Sequence, residues 1–407
     1  MDKCVWILNH YAKTPDMAGG TRHFDLSQEL VKKGYKVIIF ASGFDHTSKK
    51  YIKLLFKDRY KIENYRGVRF VWLKTIPYYS NNWRRILNMV SYGIRILKVA
   101  KKFEKPDVII GSSVHPFAVL AAWWLAKRYK ARFIFEVRDL WPQTAVEMGV
   151  IRATGISAKI LYAWEKFMYK KAEKIIVLLP YAENYIKNKG INPKKIIWIP
   201  NGVDLERFDN PESLDSSLKI FRSIMKYKDK FKVIYTGAHG IPNGLDIIIE
   251  AAALIKDEAP EIHFIFFGEG TEKERLKSKT LKLNNITFYG SVPKSSISSI
   301  LSLADCLIVS VPNFNIYNYG ISLNKLFDYL ASAKPIIMAG NPKNNIIKDA
   351  KAGITIESEN PEILAEGILE IQKMSEEERE QLGANGRVYV EKYHSSKTLA
   401  EKLEKIL

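Results

Sequence analysis

The stretch CVWILNHYAKTPDMAGGTRHFDLSQELVKKGYKVIIFAS, residues 4–42, contains two apolar runs separated by a glycine-containing loop and a helical pattern. The two runs, CVWILN (4–9) and KVIIFAS (36–42), are continuous and do not alternate with polar residues. Continuous runs of this kind are typical of strands that are buried on both faces of a parallel sheet. A helix is the usual connection between two parallel strands. The stretch therefore predicts a β-α-β unit.

The same alternation continues along the rest of the chain. We predict thirteen strands, over residues 4–9, 36–42, 68–74, 107–112, 132–138, 174–179, 195–200, 232–237, 262–268, 286–292, 305–311, 334–340 and 353–358. A polar stretch near residues 209–217 interrupts the alternation, which then restarts. The pattern predicts two doubly wound, Rossmann-like α/β domains, over residues 1–205 and 206–393. We expect a helix over about residues 394–407 to pack back on the first domain.

The composition is that of an ordinary globular protein, and 407 residues are enough for two domains with separate cores. The cysteines, Cys4 and Cys306, are far apart in strand-like contexts. They favour neither a disulfide framework nor a cysteine-based zinc site, and they indicate a reducing, cytoplasmic compartment. The longest apolar runs, such as AVLAAWWLA (118–126), are too short for a membrane span. We therefore expect neither export nor insertion into a bilayer.

Positive charge is concentrated in the first half of the chain. Residues 1–205 contain 37 Lys and Arg against 16 Asp and Glu, a balance of +21, whereas the remaining 26 against 28 give −2. Residues 65–103 contain nine basic residues and no acidic one. A chain this basic could bind nucleic acid. We find no recognised nucleic-acid-binding motif, so we expect no such partner.

Residues 83–102, WRRILNMVSYGIRILKVAKK, have the pattern of a basic amphipathic helix. Its polar positions recur at three- and four-residue steps and are Arg84, Asn88, Ser91, Arg95, Lys98 and Lys102. Its apolar positions line the other side and are Ile86, Leu87, Val90, Ile94 and Leu97. Such a helix suits an anionic membrane surface. The alternative is a helix packed on the core whose solvated face is basic.

Ligands of doubly wound sheets bind outside the carboxyl ends of the strands, so the loops there supply the candidate residues. In the first half these are Gly19 and Gly20 before a helix start, Arg22 and His23 in its first turn, and His115 after the fourth strand. The fifth strand is followed by a group of ionisable residues, which are Glu136, Arg138 and Asp139. A structural ion pair of Arg138 with either acid, and a structural role for His115, remain the alternatives to ligand binding.

In the second half, YTGAHGIPNGLD (235–246) is a glycine-rich turn suited to a diphosphate, although it lacks the spacing of a dinucleotide site. The stretch GISLNKLFDYLASAKP (320–335) predicts a helix over about 323–332 with Ser322 as its N-cap. Lys325 lies in the first turn, where the helix dipole favours an anion. Either Lys325 points into water, or it holds a phosphate together with the helix end. Asn324, Lys325 and Asp328 share one helical face.

Several motifs together resemble those of a known family. They are the GG pair after the first strand, IPNGVD (199–204), YGSVP (289–293), ADCLIVSVP (304–312) and LFDYLASAKPII (326–337). Their order resembles that of retaining glycosyltransferases of family 4, which have the GT-B fold of two Rossmann-like domains facing a cleft. More narrowly, GGTRHF, SSVHP, FEVRDLWP and SLNKLFDYLASAKP resemble bacterial polysaccharide enzymes of the subgroup that includes L-fucosamine (N-acetyl-L-fucosamine) transferases.

The resemblance implies a role for each matching residue. It places His115 beside the donor sugar and reaction centre, Asp328 on the ribose hydroxyls, and Ser291 and Val292 on the base. It places Arg138 and Asp139 on the acceptor side, where we also expect Arg22 and His23. The remaining nucleotide-sugar residues are expected to be Gly19, Gly20, Gly237, His239, Asn243, Ser322, Asn324 and Lys325.

The sequence departs from the family pattern at two places. The first glutamate of the family's paired-glutamate motif is replaced by Gly320, and the Arg and Lys common after the first strand of the second domain are replaced by His239 and Asn243. These departures shift the phosphate role to Lys325. We accordingly expect His115, Lys325 and Asp328 to be the catalytic residues, with no metal and no cofactor.

The resemblance implies transfer of a sugar from a UDP-sugar to a lipid-linked, polyprenyl diphosphate sugar acceptor, at the cytoplasmic face of the membrane. The product would belong to a bacterial surface polysaccharide such as an O-antigen or a capsule. Three alternatives remain: a GT-B sugar-nucleotide epimerase, a dinucleotide-dependent oxidoreductase, and a non-catalytic partner in polysaccharide assembly. The missing GxGxxG spacing disfavours the oxidoreductase.

Overall fold

The computed structural model describes residues 3–55, 57–80, 82–211, 218–357 and 359–407, with backbone only for 218–220. The chain divides into two compact units. Unit 1 comprises residues 1–14, 20–200 and 396–407, and unit 2 comprises residues 15–19 and 201–395. The change from one unit to the other thus falls at Pro200, five residues before the boundary we expected. The sequence did not predict that residues 15–19 cluster with unit 2.

The described strands and helices of unit 1 alternate along the chain. In order they are β1 (Cys4–Leu8), α1 (Arg22–Lys32), β2 (Lys36–Ser42), β3 (Phe44–Asp45), β4 (Lys50–Tyr51), β5 (Tyr60–Tyr65), β6 (Val68–Leu73), α2 (Trp83–Val99), β7 (Val108–Ser112), α3 (Pro116–Tyr129), β8 (Arg132–Val137), α4 (Gln143–Glu147), α5 (Ile156–Lys171), β9 (Lys174–Val177), α6 (Ala182–Lys187) and β10 (Ile196–Trp198).

The described elements of unit 2 follow the same pattern. In order they are α7 (Glu206–Asp209), α8 (Leu218–Ile224), β11 (Phe231–Thr236), α9 (Leu245–Ile255), β12 (Ile262–Phe267), α10 (Lys273–Lys279), β13 (Ile286–Tyr289), α11 (Ile297–Leu301), β14 (Cys306–Ser310), α12 (Asn324–Ala331), β15 (Ile336–Ala339), α13 (Ile346–Ala350), β16 (Gly353–Ile356), α14 (Pro361–Lys373) and α15 (Glu376–His394). The last helix, α16 (Ser396–Glu404), belongs to unit 1 and packs against α1.

Each unit is built on one large sheet. The sheet of unit 1 has the order β10-β9-β8-β7-β1-β2-β6-β5, and that of unit 2 has the order β13-β12-β11-β14-β15-β16. All neighbouring strands in these two sheets are parallel except the β5–β6 pair. Each of the thirteen predicted strands has a counterpart. Because their apolar runs are buried on both faces, as in Val5–Leu8 of β1, the parallel doubly wound prediction is confirmed.

Three described strands were not predicted. The edge strand β5 has the sequence YKIENY and is largely exposed, so no apolar run marks it. The hairpin strands β3 and β4 have two residues each and pair only with each other. Strands that are short or that lie at an edge bury too little surface to leave a hydrophobic signal in the sequence.

Helix α2 is present where we predicted a helix, but its faces differ from the prediction. The residues that it buries are Asn88, Tyr92, Gly93, Ile96 and Val99. The predicted apolar residues Ile86, Leu87 and Ile94 are 55%, 38% and 50% exposed. Asn88, predicted on the solvated polar face, is fully buried and donates to the Thr75 hydroxyl. The helix therefore packs on a third face and leaves its apolar stripe uncovered.

Both cysteines are buried and free, as their strand-like contexts predicted. Cys4 begins β1 and Cys306 begins β14. Among the helices that the structure describes, none combines the length and the apolar character needed to cross a bilayer.

Candidate functional site

Two glycine-containing loops interlock at the carboxyl end of the unit 2 sheet. The loop after β11 passes so close to the loop after β12 that a Cβ on Gly268 would lie 1.8 Å from the Gly237 carbonyl oxygen. A Cβ on Gly270 would lie 2.1 Å from the carbonyl oxygen of His239. The His239 amide donates to the Glu269 carbonyl at 3.0 Å, which fixes the two loops together. Only glycine permits this approach.

Lys325 extends from the first turn of α12 into the loop after β11. Its Nζ donates to the Tyr235 hydroxyl at 2.7 Å and to Asn243 Oδ1 at 2.5 Å, and it lies 4.4 Å from the centre of the Tyr235 ring. A Cβ on Gly237 would approach this Nζ to 3.0 Å. The structure thus brings together Lys325, Gly237 and Asn243, three of the predicted nucleotide-sugar residues, and the side chain does not extend into open water.

The partners of the Lys325 ammonium are all neutral. Within the described part of the chain, Lys325 forms no ion pair with a carboxylate. Burial lowers the pKa of Lys325 to about 7, because the charged form loses hydration that no anion replaces. An anion bound beside Nζ would reverse that shift.

Ser322 does not cap α12, contrary to the prediction. The N-cap is Leu323, whose side chain cannot accept a hydrogen bond, and the helix begins at Asn324. The Ser322 hydroxyl instead accepts from the Asn201 amide at 2.9 Å, and its carbonyl accepts from Asn201 Nδ2 at 2.6 Å. Ser322 therefore anchors the segment before α12 to the start of unit 2. No side-chain acceptor at the N-cap competes for the first amide groups of the helix.

Asp328 lies one turn further along α12 and is buried. Its Oδ2 forms an ion pair with Lys294, a residue that the sequence analysis did not select. Its Oδ1 is buried and has no hydrogen-bond partner among the described residues. A buried carboxylate oxygen without a donor is costly, and the predicted contact of Asp328 with ribose hydroxyls stays a prediction.

The other predicted residues of unit 2 lie around this core. His239 is fully buried beneath the interlocked loops, and its pKa is lowered to about 4 by burial and by Lys273. It offers no accessible surface for direct ligand contact. Ser291 is exposed after β13, Val292 packs in the core, and Asn324 is half-buried at the helix start. Their predicted ligand contacts stay predictions.

The predicted loop residues Gly19 and Gly20 fall on either side of a unit boundary. Gly19 belongs to unit 2 and has φ 127°, in the region that favours glycine, whereas Gly20 belongs to unit 1. The residues just before Gly19 accept backbone hydrogen bonds, from Lys294 N to the Met17 carbonyl and from Ser295 N to the Pro15 carbonyl, both 3.1 Å long. This segment is therefore held by the loop after β13.

Arg22 and His23 form a buried network around Glu136 in unit 1. Arg22 Nε lies 2.9 Å from Glu136 Oε1, and its Nη atoms donate to the carbonyls of Pro200 and Ile199. His23 Nε2 lies 2.6 Å from Glu136 Oε2. Arg22 and His23 are 6% and 4% exposed. These contacts hold the end of β10. A contact of either side chain with the acceptor would require it to leave these partners, and that contact stays a prediction.

The hydrogen bonds fix the protonation of His23. Asn9 Oδ1 accepts from the Tyr11 amide, so Asn9 Nδ2 is the atom that donates to His23 Nδ1, 2.7 Å away. The proton of a neutral His23 then lies on Nε2 and is donated to Glu136. Burial lowers the pKa of His23, while His23 and Arg22 outweigh burial and hold the pKa of Glu136 well below its ordinary value.

His115 is the N-cap of α3, and its polar atoms are both occupied. Nδ1 accepts from the Ala118 amide at 3.2 Å, so Nε2 carries the proton and donates to His10 Nδ1 at 2.7 Å. Burial lowers the pKa of His115 to about 3, which keeps the ring neutral. The structure gives His115 a capping role. Its predicted contact with a donor sugar would require it to leave His10, and that contact stays a prediction.

Arg138 and Asp139 follow β8 but do not pair with Glu136, whose oxygens are taken by Arg22, His23 and Ser112. Asp139 is exposed after β8. The protein atoms packed around its carboxyl group reduce the hydration of the charged form, which raises the pKa of Asp139. Together with His115 it borders a small cavity, whose lining is Ser113, His115, Pro116, Phe135, Val137, Asp139, Trp141, Trp164 and Tyr169. Thus two predicted residues of unit 1 meet at one cavity.

Sequence reasoning missed four residues of these sites. Tyr235 lies inside an apolar strand run and Lys273 inside a charged helix, so neither carries a distinct signal. Lys294 follows YGSVP directly, and His10 follows the first strand; searching every strand end for ionisable residues would have found both. Among the described residues, no group of three or more His, Cys, Asp or Glu side chains is placed to hold a metal ion.

Comparison with known families matches one half of the chain to each of two models. The model described as Glycosyltransferase Family 4 matches residues 19–207, and the model described as Glycosyl transferases group 1 matches residues 216–389. The chain is a GT-B glycosyltransferase. This confirms the fold and the resemblance to glycosyltransferases of family 4, whereas retention of configuration and the fucosamine subgroup stay predictions. The comparisons do not favour the epimerase, oxidoreductase and non-catalytic alternatives.

The relatives of this glycosyltransferase are distant. It is 26% identical over 260 residues to WcaI of Escherichia coli K12, a glycosyl transferase assigned to colanic acid biosynthesis, and the match covers 62% of each chain. It is 25% identical over 283 residues to the glycosyltransferase WbjE of Pseudomonas aeruginosa, covering 68% of each chain. The solved structure of Anabaena Alr3699/HepE in complex with UDP and glucose has a TM-score of 0.69 at 13% identity, and covers 99% of both chains.

Proposed function

We propose that this protein transfers a sugar from a UDP-sugar to a polyprenyl diphosphate-linked sugar acceptor, with retention of the anomeric configuration, in the synthesis of a bacterial surface polysaccharide. An amino sugar such as N-acetyl-L-fucosamine is the donor sugar that the sequence motifs favour. The similarity to a glycosyl transferase assigned to colanic acid biosynthesis supports the polysaccharide class. The UDP-bound state of HepE supports the nucleotide.

The observation that carries the proposal is the Lys325 ammonium, held in a glycine loop by neutral partners. A nucleoside diphosphate in this loop would supply the missing anion, while the unpartnered Oδ1 of Asp328, three residues further along the same helix, would accept from a ribose hydroxyl. The two side chains therefore match the two ends of a ribose diphosphate. Without a side-chain acceptor at the N-cap, the first amides of α12 are available to the same phosphate groups.

In the reaction, negative charge grows on the departing diphosphate as the glycosidic bond breaks. Lys325 and the amide groups of the first turn would stabilise that charge, which is the largest contribution that a preorganised site usually makes. This role requires neither a metal nor a cofactor. We expect the acceptor hydroxyl to attack on the same face of the sugar from which the diphosphate leaves, assisted by a diphosphate oxygen.

We propose further that one helical layer of unit 1 docks on an anionic membrane surface, at the cytoplasmic face. Helix α3 packs against both α2 and α5. All three helices expose large apolar side chains, which are Trp83, Ile86, Leu87, Ile94, Leu120, Trp124, Ile156, Ile160 and Phe167. On α5 the exposed residues Ile156, Ile160 and Phe167 recur at helical spacing and form a stripe. We call this three-helix surface the apolar-basic face.

The charge of the apolar-basic face fits anionic lipid. Helices α2 and α3 contain no Asp or Glu, and the one acid of α5, Glu165, is buried and paired with Lys189. The exposed basic residues are Arg84, Lys98, Lys127, Arg128, Lys159, Lys166, Lys170 and Lys171. Apolar side chains between cations, with no exposed carboxylate, are the pattern of an interfacial surface.

The donor site is tested by thermal unfolding with UDP, GDP or NAD at matched concentrations, for the wild type and Asp328→Ala. We expect UDP alone to raise the melting temperature, because a ligand that binds the native state stabilises it by mass action. We expect the shift to be lost in Asp328→Ala. A shift with GDP alone would indicate a GDP-sugar as the donor. No shift with any of the nucleotides would contradict the proposal.

Catalysis and docking are tested separately. UDP release that depends on added membrane extract supports transfer to a lipid-linked acceptor, whereas isomer formation without acceptor would contradict it. Binding to vesicles of phosphatidylglycerol should weaken with salt and in Ile156→Ser plus Ile160→Ser, but not in the matched pair Ile52→Ser plus Leu55→Ser, which lies outside the three helices. Binding that changes neither with salt nor in Ile156→Ser plus Ile160→Ser would contradict docking through the apolar-basic face.

A further inference from the structure

A second cluster of cations lies in unit 1 and is formed by residues that the sequence analysis did not select as candidates. The hairpin of β3 and β4 packs its Phe44 and Tyr51 rings together, with centroids 5.3 Å apart, and Phe44 lies 5.4 Å from Tyr78 in the segment before α2. Asp45 closes the hairpin turn by accepting from the Ser48 amide and hydroxyl, both at 2.7 Å. It also forms an ion pair with Lys13. The carboxylate of Asp45 is therefore already used.

Lys49 lies in this turn and its nearest partners are neutral. Its Nζ lies 4.3 Å from the centre of the Tyr78 ring and 3.3 Å from His46 Nδ1. The backbone of Lys49 has φ 56°, an uncommon conformation for a residue other than glycine. Burial and Arg85 lower the pKa of Lys49, although Asp45 opposes the change. Lys49 thus shares with Lys325 the property of an ammonium without an anion to balance it.

Arg85 is the cation that acts electrostatically on several of the other groups of the cluster. It extends from the first turn of α2 and acts electrostatically on Lys49, His46 and Tyr78, and also on His10 and His115. It is half-buried. The charges that act most strongly on His46 are the cations Lys49, Arg85 and Lys13 and the acid Asp45, which forms an ion pair with Lys13. This excess of positive charge would attract an anion of more than one negative charge.

His46 adds a neutral donor beside the cations. Its Nδ1 lies 2.7 Å from the Tyr78 hydroxyl and 3.3 Å from Lys49 Nζ, and an ammonium can only donate. Nδ1 is therefore the acceptor, so Nε2 carries the proton of the neutral ring. The pKa of His46 is lowered to about 4 by burial and by Lys49 and Arg85, which keeps the ring neutral at physiological pH.

A row of rings connects the cluster to His115. The centroid of Tyr11 lies 5.5 Å from that of His46 and 4.5 Å from that of His10, and His10 lies 4.8 Å from His115. On the other side, Arg85 follows Trp83, which opens the apolar stripe of α2 and is 62% exposed. The cations therefore lie between Tyr11, the half-buried ring of this row, which suits a sugar, and an exposed apolar stripe, which suits a lipid.

We infer that Lys49 and Arg85 bind the diphosphate group of the lipid-linked acceptor, with His46 Nε2 as a further donor. The order of the surfaces matches the order of groups in such an acceptor: lipid on the stripe of α2, diphosphate on the cations, and sugar beside the half-buried ring of Tyr11. The inference rests on the proposed function for the identity of the acceptor. It rests on the cluster alone for the binding of a diphosphate.

The test is a calorimetric titration of the full chain with farnesyl diphosphate in saturating UDP, which occupies the donor site. The variant is Lys49→Gln plus Arg85→Gln, and the matched control is Lys50→Gln plus Arg59→Gln, which removes one exposed lysine and one exposed arginine of unit 1 that lie outside the apolar-basic face. We expect the variant to bind at least about tenfold more weakly than the wild type, and the control to bind like the wild type. Farnesol and inorganic pyrophosphate, titrated separately, report the lipid and the phosphate contributions.

Equal weakening in the variant and the control would overturn the inference, because general surface charge would then account for the binding. Unchanged binding in the variant, or a wild type that binds farnesol as tightly as farnesyl diphosphate, would overturn it also. UDP binding measured on the variant by thermal shift confirms that the variant folds. If UDP fails to bind the wild type, the proposed donor is wrong; if UDP binds and the farnesyl diphosphate result is negative, the diphosphate site alone is wrong.

Discussion

A charged side chain lies near the carboxyl end of each large sheet, Glu136 in unit 1 and Lys325 in unit 2, but only Glu136 has partners of opposite charge. In unit 1, both oxygens of Glu136 are occupied, by Arg22, His23 and Ser112, and the network is closed. In unit 2, Lys325 has neutral partners only, and Asp328 keeps one oxygen without a donor. A satisfied buried charge holds a fold together, whereas an unsatisfied one is where we propose that a ligand binds.

The largest effect that we expect is the loss of the closed network. Glu136→Gln should lower the free energy of unfolding of unit 1 by about 3–5 kcal/mol, because the buried Arg22 loses its counter-charge. Chemical denaturation followed by tryptophan fluorescence measures this. Glu173→Gln, which breaks the exposed pair with Arg132, is the control and should cost about 0–1 kcal/mol. Equal effects would show that burial of the pair contributes nothing, and loss of UDP binding in Glu136→Gln would contradict its purely structural role.

Removing the charge of Lys325 should have the opposite effect, a large loss of activity without a loss of stability. Lys325→Met should lower kcat for UDP release by about 10²–10³, since one charged group no longer stabilises the departing diphosphate, while the unfolding temperature of the free protein stays equal or rises. Lys334→Met is the matched control, because burial also lowers the pKa of Lys334 but it lies at the amino end of β15. A near-normal kcat in Lys325→Met would show that Lys325 does not stabilise the departing diphosphate.

The smallest effect concerns Ser322. Because its hydroxyl accepts from the buried Asn201 amide and does not cap α12, Ser322→Ala should cost about 1 kcal/mol of stability without changing kcat. Ser375→Ala, at the true capping box of α15, should cost a similar amount and serves for comparison. A fall in kcat or a loss of helical structure at α12 in Ser322→Ala would contradict this result and would support the capping role that the sequence predicted.

The fold could be predicted from the sequence because strands buried on both faces leave continuous apolar runs. The runs at 36–42 and 262–268 correspond closely to β2 and β12, and every other predicted strand has its counterpart. The strands without such runs, as in the exposed β5, were missed. The faces of α2 could not be predicted, because a buried asparagine that bonds Thr75 and an exposed Ile86 both reverse the ordinary preference of their residue types.

The site was only partly predictable. Position after a strand identified His115, Arg22, His23 and Lys325 as candidates, since that rule depends only on local sequence. Whether their polar atoms are already bonded depends on partners more than a hundred residues away, such as Glu136 for Arg22 and His10 for His115. Tyr235, the ring beneath Lys325, lies inside an apolar strand run and could not be recognised. Lys294 could be found at a strand end, but its pairing with Asp328 could not be predicted.

The measurement that tests the central claim most directly is the pH dependence of UDP binding between pH 7 and 8.5. Without ligand the pKa of Lys325 is about 7, so above that pH the amine must take up a proton before it can pair with a diphosphate, whose own ionisation is complete there. We predict that the Kd of the wild type rises about tenfold over this range, and that the weaker binding of Lys325→Met does not change with pH. A wild-type Kd that is constant over the range, or a dependence that persists in Lys325→Met, would contradict the assignment of Lys325 to the diphosphate.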